Sequence, residues 1–210
     1  EGIYVRNIDD GTVRAEIGRA YLLKENEELW EKMLSSEVEE IIARESKRPR
    51  DKTRVVAYHV PDKTAVQAFD YKTLTSRVVF GPDVVLLQPN ETFTVLNLSS
   101  GFPKRQASNR IIGLKLGPDF IQDMTVVETS DHAALLVKMT YSWVFRVDRR
   151  DEESCKRMFF STDFVGDVCR IIESRIRGAA AESTFDAFHK GFPEIIRKAV
   201  FGDEEEFVLE

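Results

Sequence analysis

The side chains best suited to chemistry in this chain are three histidines, His59, His132 and His189, and two cysteines, Cys155 and Cys169. Imidazoles and thiolates hold zinc when four donors converge, and closely spaced pairs on one element normally supply part of the set. No histidine here has a second histidine or cysteine three or four positions on. A metal centre would therefore need long-range convergence with no local support. Cys169 falls on the apolar stripe of a predicted helix, where a thiol packs as a small hydrophobe and its thiolate is disfavoured; Cys155 has no better claim to catalysis. Glu152 and Glu153 open a predicted helix, where the dipole favours acidic residues without any acid-base role. A glycine-rich phosphate loop, a Gly-x-Ser-x-Gly elbow and a His-Glu-x-x-His pair are all absent from the sequence. Tyr141, Trp143 and Phe145 alternate with polar residues and present either a base-stacking platform or the inner face of a sheet; the long apolar run they belong to favours the sheet. The residues thus predict no catalytic centre, no metal and no cofactor.

The elements that would position these side chains begin with a repeat. Residues 3–33 and 66–96 are two copies of one pattern at an offset of 63 residues. Thr12, Arg14, Gly18, Leu23 and Glu28 recur as Thr75, Arg77, Gly81, Leu86 and Glu91, and the apolar positions recur with them. Gly18 and Gly81 are expected at turns that need positive φ, with Pro82 beside the second. In the first copy Ile3–Ile8, Val13–Ile17, Tyr21–Leu23 and Leu29–Met33 read as strands of a small meander. Ser35-Ser36-Glu37 then caps a short helix through Val38, Ile41 and Ile42, and the charged run from Lys47 to Lys52 reads as a linker. The second copy reads as strands over 54–60, 66–71, 77–80, 84–87 and 92–98. Small β units that bury little alone are normally stacked in arrays, so this half of the chain reads as a slice of something longer.

From Ile111 the grammar changes. Gly117-Pro118-Asp119 echoes Gly81-Pro82-Asp83, and a strand over Met124–Glu128 leads to the most regular stretch of the chain. There Ala133, Leu135, Val137, Met139, Tyr141, Trp143, Phe145 and Val147 occupy alternate positions, which predicts one strand over 132–148, about 50 Å at roughly 3.3 Å per residue, with one face covered. Predicted helices over 151–159, 163–181, 184–189 and 193–201 supply the cover, with Ser161 or Thr162 as a cap, Pro193 at a first helical position and Gly202 just past an end. Val165, Cys169, Ile172 and Ile176 line one helix face. Leu135, Val137, Met139, Tyr141, Trp143 and Phe145 are their expected partners. The sum is an α+β chain: small antiparallel β repeats, then helices on one side of an antiparallel sheet.

Composition narrows the function classes. Among 210 residues, 42% are apolar and the net charge is −6, which supports folded cores and excludes a dedicated basic nucleic-acid surface. Two cysteines make no disulfide framework and suit a reducing, cytosolic compartment. The sequence contains no apolar run of about 18 residues. The opening at Glu1 in mid-pattern suggests an excised fragment.

Taken together, Arg77-Val78-Val79-Phe80-Gly81-Pro82, Leu116-Gly117-Pro118-Asp119-Phe120, Glu128-Thr129-Ser130-Asp131-His132-Ala133, Asp163-Phe164-Val165-Gly166-Asp167, Ser174-Arg175-Ile176-Arg177-Gly178 and Phe185-Asp186-Ala187-Phe188-His189-Lys190 closely resemble the major vault protein family, in order along nearly the whole chain. The resemblance implies two tandem wall repeats, over 1–52 and 53–113, and a shoulder domain of the stomatin and prohibitin (band 7) type over 114–210, truncated at its C-terminal end. It further implies a non-enzymatic shell subunit that associates laterally with copies of itself in a ribonucleoprotein particle of the cytoplasm, with the nucleus as a second compartment. Other vault proteins and RNA would be companions in that particle and not ligands of this segment. The cap helix of the family lies outside this sequence. The band 7 likeness is shared with membrane-microdomain scaffolds, which gives a competing expectation of lipid-surface binding, although the sequence offers no stable membrane anchor.

Overall fold

A computed structural model describes residues 1–46, 49–204 and 206–208. Lys47 and Arg48 of the predicted linker, and Glu205, Leu209 and Glu210, lie outside the described residues. The fold is mixed α+β, built from antiparallel strands in small sheets and helices at the C-terminal end. It divides into two compact units, one comprising residues 1–96, 110–117 and 144–162, the other residues 97–109, 118–143 and 163–210.

In the first unit, β1 (Gly2–Asn7) lies between β2 (Val13–Ile17) and β3 (Glu27–Leu29). Residues 21–23 and 30–33, expected as strands, form none: the Trp30 N–H still donates to the Tyr4 carbonyl of β1 and the Lys32 N–H to the Lys52 carbonyl, but these single bonds do not continue as a ladder. Helix α1 (Ser36–Glu45) starts where Ser35 Oγ accepts the Val38 N–H, and turns Val38 and Ile41 into the core. After β4 (Ala57–Val60), the second copy repeats the arrangement: β5 (Thr64–Asp70) pairs with β6 (Thr75–Phe80) and, beyond β7 (Asp83–Leu86), with β8 (Glu91–Phe93). The register is conserved between copies, Val5 opposite Arg14 and Ala68 opposite Arg77. β4 pairs with β7. One apolar cluster runs through both copies and takes in Tyr4, Val38, Ile41, Val56, Tyr58, Val85, Leu87 and Phe93.

The expected strand over 92–98 is two strands, β8 and β9 (Leu96–Ser100), and β9 pairs with β10 (Arg105–Ile111). β10 escaped the sequence reading because its residues are polar or exposed on both faces. β11 (Leu114–Lys115) pairs with β5.

The second unit is built on a hairpin of β12 (Asp119–Glu128) and β13 (Ala134–Trp143). β13 is shorter than the strand expected over 132–148. At one end His132 takes a φ of 64° in the turn; at the other, Trp143 faces Asp119, beyond which Pro118 has no N–H and Gly117 takes a φ of 83°. α2 (Glu152–Arg157), shorter than expected, belongs to the first unit. α3 (Phe164–Ala181) is capped by Asp163 and not by Ser161 or Thr162; the Asp163 carboxylate accepts the Gly166 N–H and, from β9, the Ser99 N–H and hydroxyl. α4 (Phe185–Phe201) is one helix where two were expected: Pro193 sits inside it, and Gly202 ends it at positive φ. An exposed proline leaves one carbonyl of the preceding turn without its helical donor, which water can satisfy, and Phe188, Phe192, Ile195, Ile196 and Val200 on both sides of it pack into the same core.

Candidate functional site

The most elaborate polar arrangement in the first unit is a carboxylate clasp that occurs twice. In the first copy Arg14 donates through Nε to Glu16 at 2.8 Å and through Nη2 to Glu27 at 2.6 Å, and the Tyr21 hydroxyl donates to Glu27 at 2.7 Å. In the second, Arg77 grips Glu91 with two parallel bonds of 2.7 and 2.9 Å. In each copy the glutamate also accepts the N–H three residues before it, from Lys24 or Gln88, and its own N–H donates back to that residue's carbonyl. The clasp ties the third strand of each copy to the second across the central strand. Arg14 and Tyr21 draw the Glu27 carboxyl down to about 2, against the effect of its burial. For Glu91, burial pushes upward and is outweighed by Arg77 and the Gln88 amide, leaving the carboxyl below its ordinary range.

The clasps also correct the alignment of the copies. Gly18 N–H donates to the Glu1 carbonyl and Gly81 N–H to Thr64, which keeps the offset of 63. From Lys24 and Gln88 onward the offset is 64: Glu27, not Glu28, is the counterpart of Glu91, and Trp30 and Thr94 donate to the equivalent carbonyls of Tyr4 and Gln67. One extra residue sits between Gly81 and Gln88. The recurrence of Arg14 and Arg77 was visible in the sequence; the slip was hidden because Glu27 and Glu28 are adjacent and identical.

The turn residues divide by mechanism. Gly18 and Gly117 adopt φ of 76° and 83°, a region that a side chain enters only with strain. Gly81, expected in the same conformation, is not there; a Cβ at Gly81 would lie 1.8 Å from the Pro61 carbonyl oxygen, so close backbone approach excludes a side chain. Pro82 follows through a cis peptide bond, and Pro118 precedes β12.

A second arrangement joins the copies and was not foreseen. The Tyr4 hydroxyl, from the first copy, donates to the Leu87 carbonyl of the second and accepts the Val56 N–H. Burial raises it to about 12. Lys32, 1% exposed, donates to the Pro89 carbonyl at 2.8 Å with its ammonium 5.7 Å from the centre of the Tyr4 ring. Burial brings that amine down to about 8. Arg50 closes the joint, donating to the Lys32 carbonyl and to Glu39 of α1.

In the second unit Val137, Val165, Cys169, Ile172 and Ile176 are buried; Leu135, Met139 and Tyr141 are partly covered and pack against the cluster that holds Val137, Ile172 and Ile176. Trp143 lies against Phe164, and Phe145 belongs to the first unit. The Tyr141 hydroxyl meets Cys169 Sγ at 2.9 Å. Burial, reinforced by Cys169, pushes the Tyr141 hydroxyl upward, and burial raises the Cys169 thiol to about 11, so neither is a nucleophile near neutrality. Cys155, also buried and raised, is equally inert. The histidines are dispersed. His59, on β4, lines a cleft of about 400 Å³ with Gly2, Ile17 and Val84; His132 pairs with Glu128 beside a turn; His189 stacks on Phe185 within α4. Among the described residues no three His, Cys, Asp or Glu side chains are gathered to hold a metal, and no helix is long and apolar enough to cross a membrane.

What the geometry offers is a pair of matched β units locked to one another, followed by helices on a hairpin. Residues 1–53 and 55–116 each match the repeat domain of major vault proteins, and residues 117–208 match the shoulder domain. The chain is 54% identical to major vault protein alpha of Dictyostelium discoideum over 98% of its length, 48% identical to the human major vault protein over 97%, and 45% identical to that of the sea urchin Strongylocentrotus purpuratus over 98%. It spans about a quarter of the length of each, 25%, 25% and 26% respectively. With repeat and shoulder matches following one another in this order, the chain belongs to the major vault protein family.

Proposed function

We propose that this chain is a structural, non-enzymatic segment of a vault shell, in which residues 1–52 and 53–113 are successive wall repeats, 114–210 belong to the shoulder, and identical copies associate laterally. The observation that carries the reading is the single apolar cluster shared by the two copies: each repeat completes the core of its neighbour, which suits extension into a long thin wall. Modest side-to-side contacts, repeated around a ring, then sum to a large buried area. The exposed Phe120, Val126 and Leu136 on the outer face of β12–β13, among Lys138, Thr140 and Ser142, are available to such contacts. Companion proteins and RNA of a vault particle are partners of the assembly and not of this segment, and the proposed compartment is the cytoplasm.

Negative-stain electron microscopy of the full-length parent protein, expressed alone beside this 210-residue chain, tests the proposal. Hollow particles from the full-length protein support it. Monomers only, or patches on membranes, overturn it.

A further inference from the structure

The two repeats match strand for strand, yet one is covered where the other is bare. Val85, Leu87 and Phe93 of the second copy are 1%, 0% and 3% exposed. Their counterparts in the first, Leu22, Leu23 and Leu29, are 90%, 37% and 47% exposed, and beside them Ile17 is exposed where its counterpart Phe80 is partly covered. The shared bonds at Gly18 and Gly81 and at Lys24 and Gln88 bracket the segment holding Leu22 and Leu23 and the one, a residue longer, holding Val85 and Leu87; beyond it the opposition of Leu29 to Val5 repeats that of Phe93 to Ala68. Gly18 has open space where Gly81 meets the Pro61 carbonyl.

What covers the second copy is the chain leading into it. β4 pairs along β7, placing Tyr58 opposite Val85; the Tyr58 and Phe93 rings stand 5.6 Å apart; and Val38 and Ile41 of α1 complete the cluster. β4 lies four to seven residues before Thr64, the counterpart of Glu1. In the first copy residues 19–23 span the place of β7 without a partner strand among the described residues.

We propose that Leu22, Leu23 and Leu29 are the docking surface for the segment that precedes Glu1 in the longer parent protein. Its occupant is a strand four to seven residues upstream of Glu1, pairing antiparallel along Arg19–Leu23 as β4 does along β7, backed by the apolar face of a short helix equivalent to α1. Leu22 and Leu29 then leave water as Val85 and Phe93 do. The inference rests on the repeat reading but not on closure of a shell.

The test replaces Leu22, in the full-length parent, with the photo-crosslinking residue p-benzoylphenylalanine, and mixes light and ¹⁵N-labelled protein before irradiation. The expected product joins residue 22 to the peptide ending at the residue before Glu1, with both halves carrying the same isotope. It forms whether or not shells are seen, which separates this inference from the proposed assembly. Mixed-isotope products overturn it in favour of a second copy, and crosslinks to any other peptide, or none, overturn it outright.

Discussion

Glu27 and Lys32 are both buried ionisable side chains of the first repeat, and both make stability rise with pH, in different windows and for different physical reasons. Arg14 and Tyr21 hold the Glu27 carboxyl at about 2, below the 4.5 of a free glutamate. A carboxyl depressed in the folded state stabilises above its unfolded pKa, and that contribution is lost as pH falls through the folded value. The melting temperature is therefore expected to drop between about pH 4.5 and pH 2, with a shallower drop in Glu27→Gln, measured by circular dichroism across that range. Lys32 acts in the alkaline window and through its neutral form: burial lowers its amine from 10.5 to about 8, so between those values the unfolded chain holds more protons and stability again rises with pH. Lys32→Met removes a buried charge while the Pro89 carbonyl keeps its bond from the Tyr71 hydroxyl. It is expected to stabilise the chain by about 1–2 kcal/mol at pH 7 and to flatten the alkaline rise, read from urea unfolding at pH 7 and 9.5.

At the scale of elements, Gly18 and Gly81 occupy one position of the repeat for two different reasons, and substitution separates them. Gly18→Ala meets no neighbour but must hold a left-handed conformation, costing about 1–2 kcal/mol. Gly81→Ala drives a methyl into the Pro61 carbonyl and is expected to cost about 3 kcal/mol or more, since backbone on both sides must shift. Urea titration of the two variants checks the order. The pair also shows how far the sequence was legible. A recurring glycine between apolar strands marked the turn in both copies, because spacing records that a side chain is excluded. It does not record whether conformation or a neighbour excludes it. The alternation through β13 disclosed the covered face of the shoulder hairpin, since burial on one side of a strand imposes a period of two. Its end was not legible, because the limit was set by Pro118, just before the partner strand. Pro193 misled for a related reason: an isolated proline reads as a helix start, and only the tertiary packing of Phe188 and Val200 on either side holds one helix through it. Tyr4, Lys32 and Arg50 carry no local pattern at all, and the joint they make exists only once the two copies meet.

For the whole molecule, the two cysteines provide one internal reporter for each compact unit. Cys155 is buried in the first and Cys169 in the second. Burial holds both thiols above their ordinary pKa, so each reacts with a thiol reagent only when its surroundings open. Single-cysteine chains, Cys169→Ala and Cys155→Ala, then give separate denaturation curves under pulsed labelling. Ile176 is fully buried among Val127, Val137 and the helix residues of the second core, and Ile176→Ala leaves a cavity there, expected to lower the stability read by Cys169 by about 2–5 kcal/mol. Gly81→Ala is expected to lower the stability read by Cys155, whose unit contains the Pro61 contact. Should Ile176→Ala leave the Cys169 curve in place, the apolar stripe of α3 would not be what holds the second unit together, and the assignment of its core would fail.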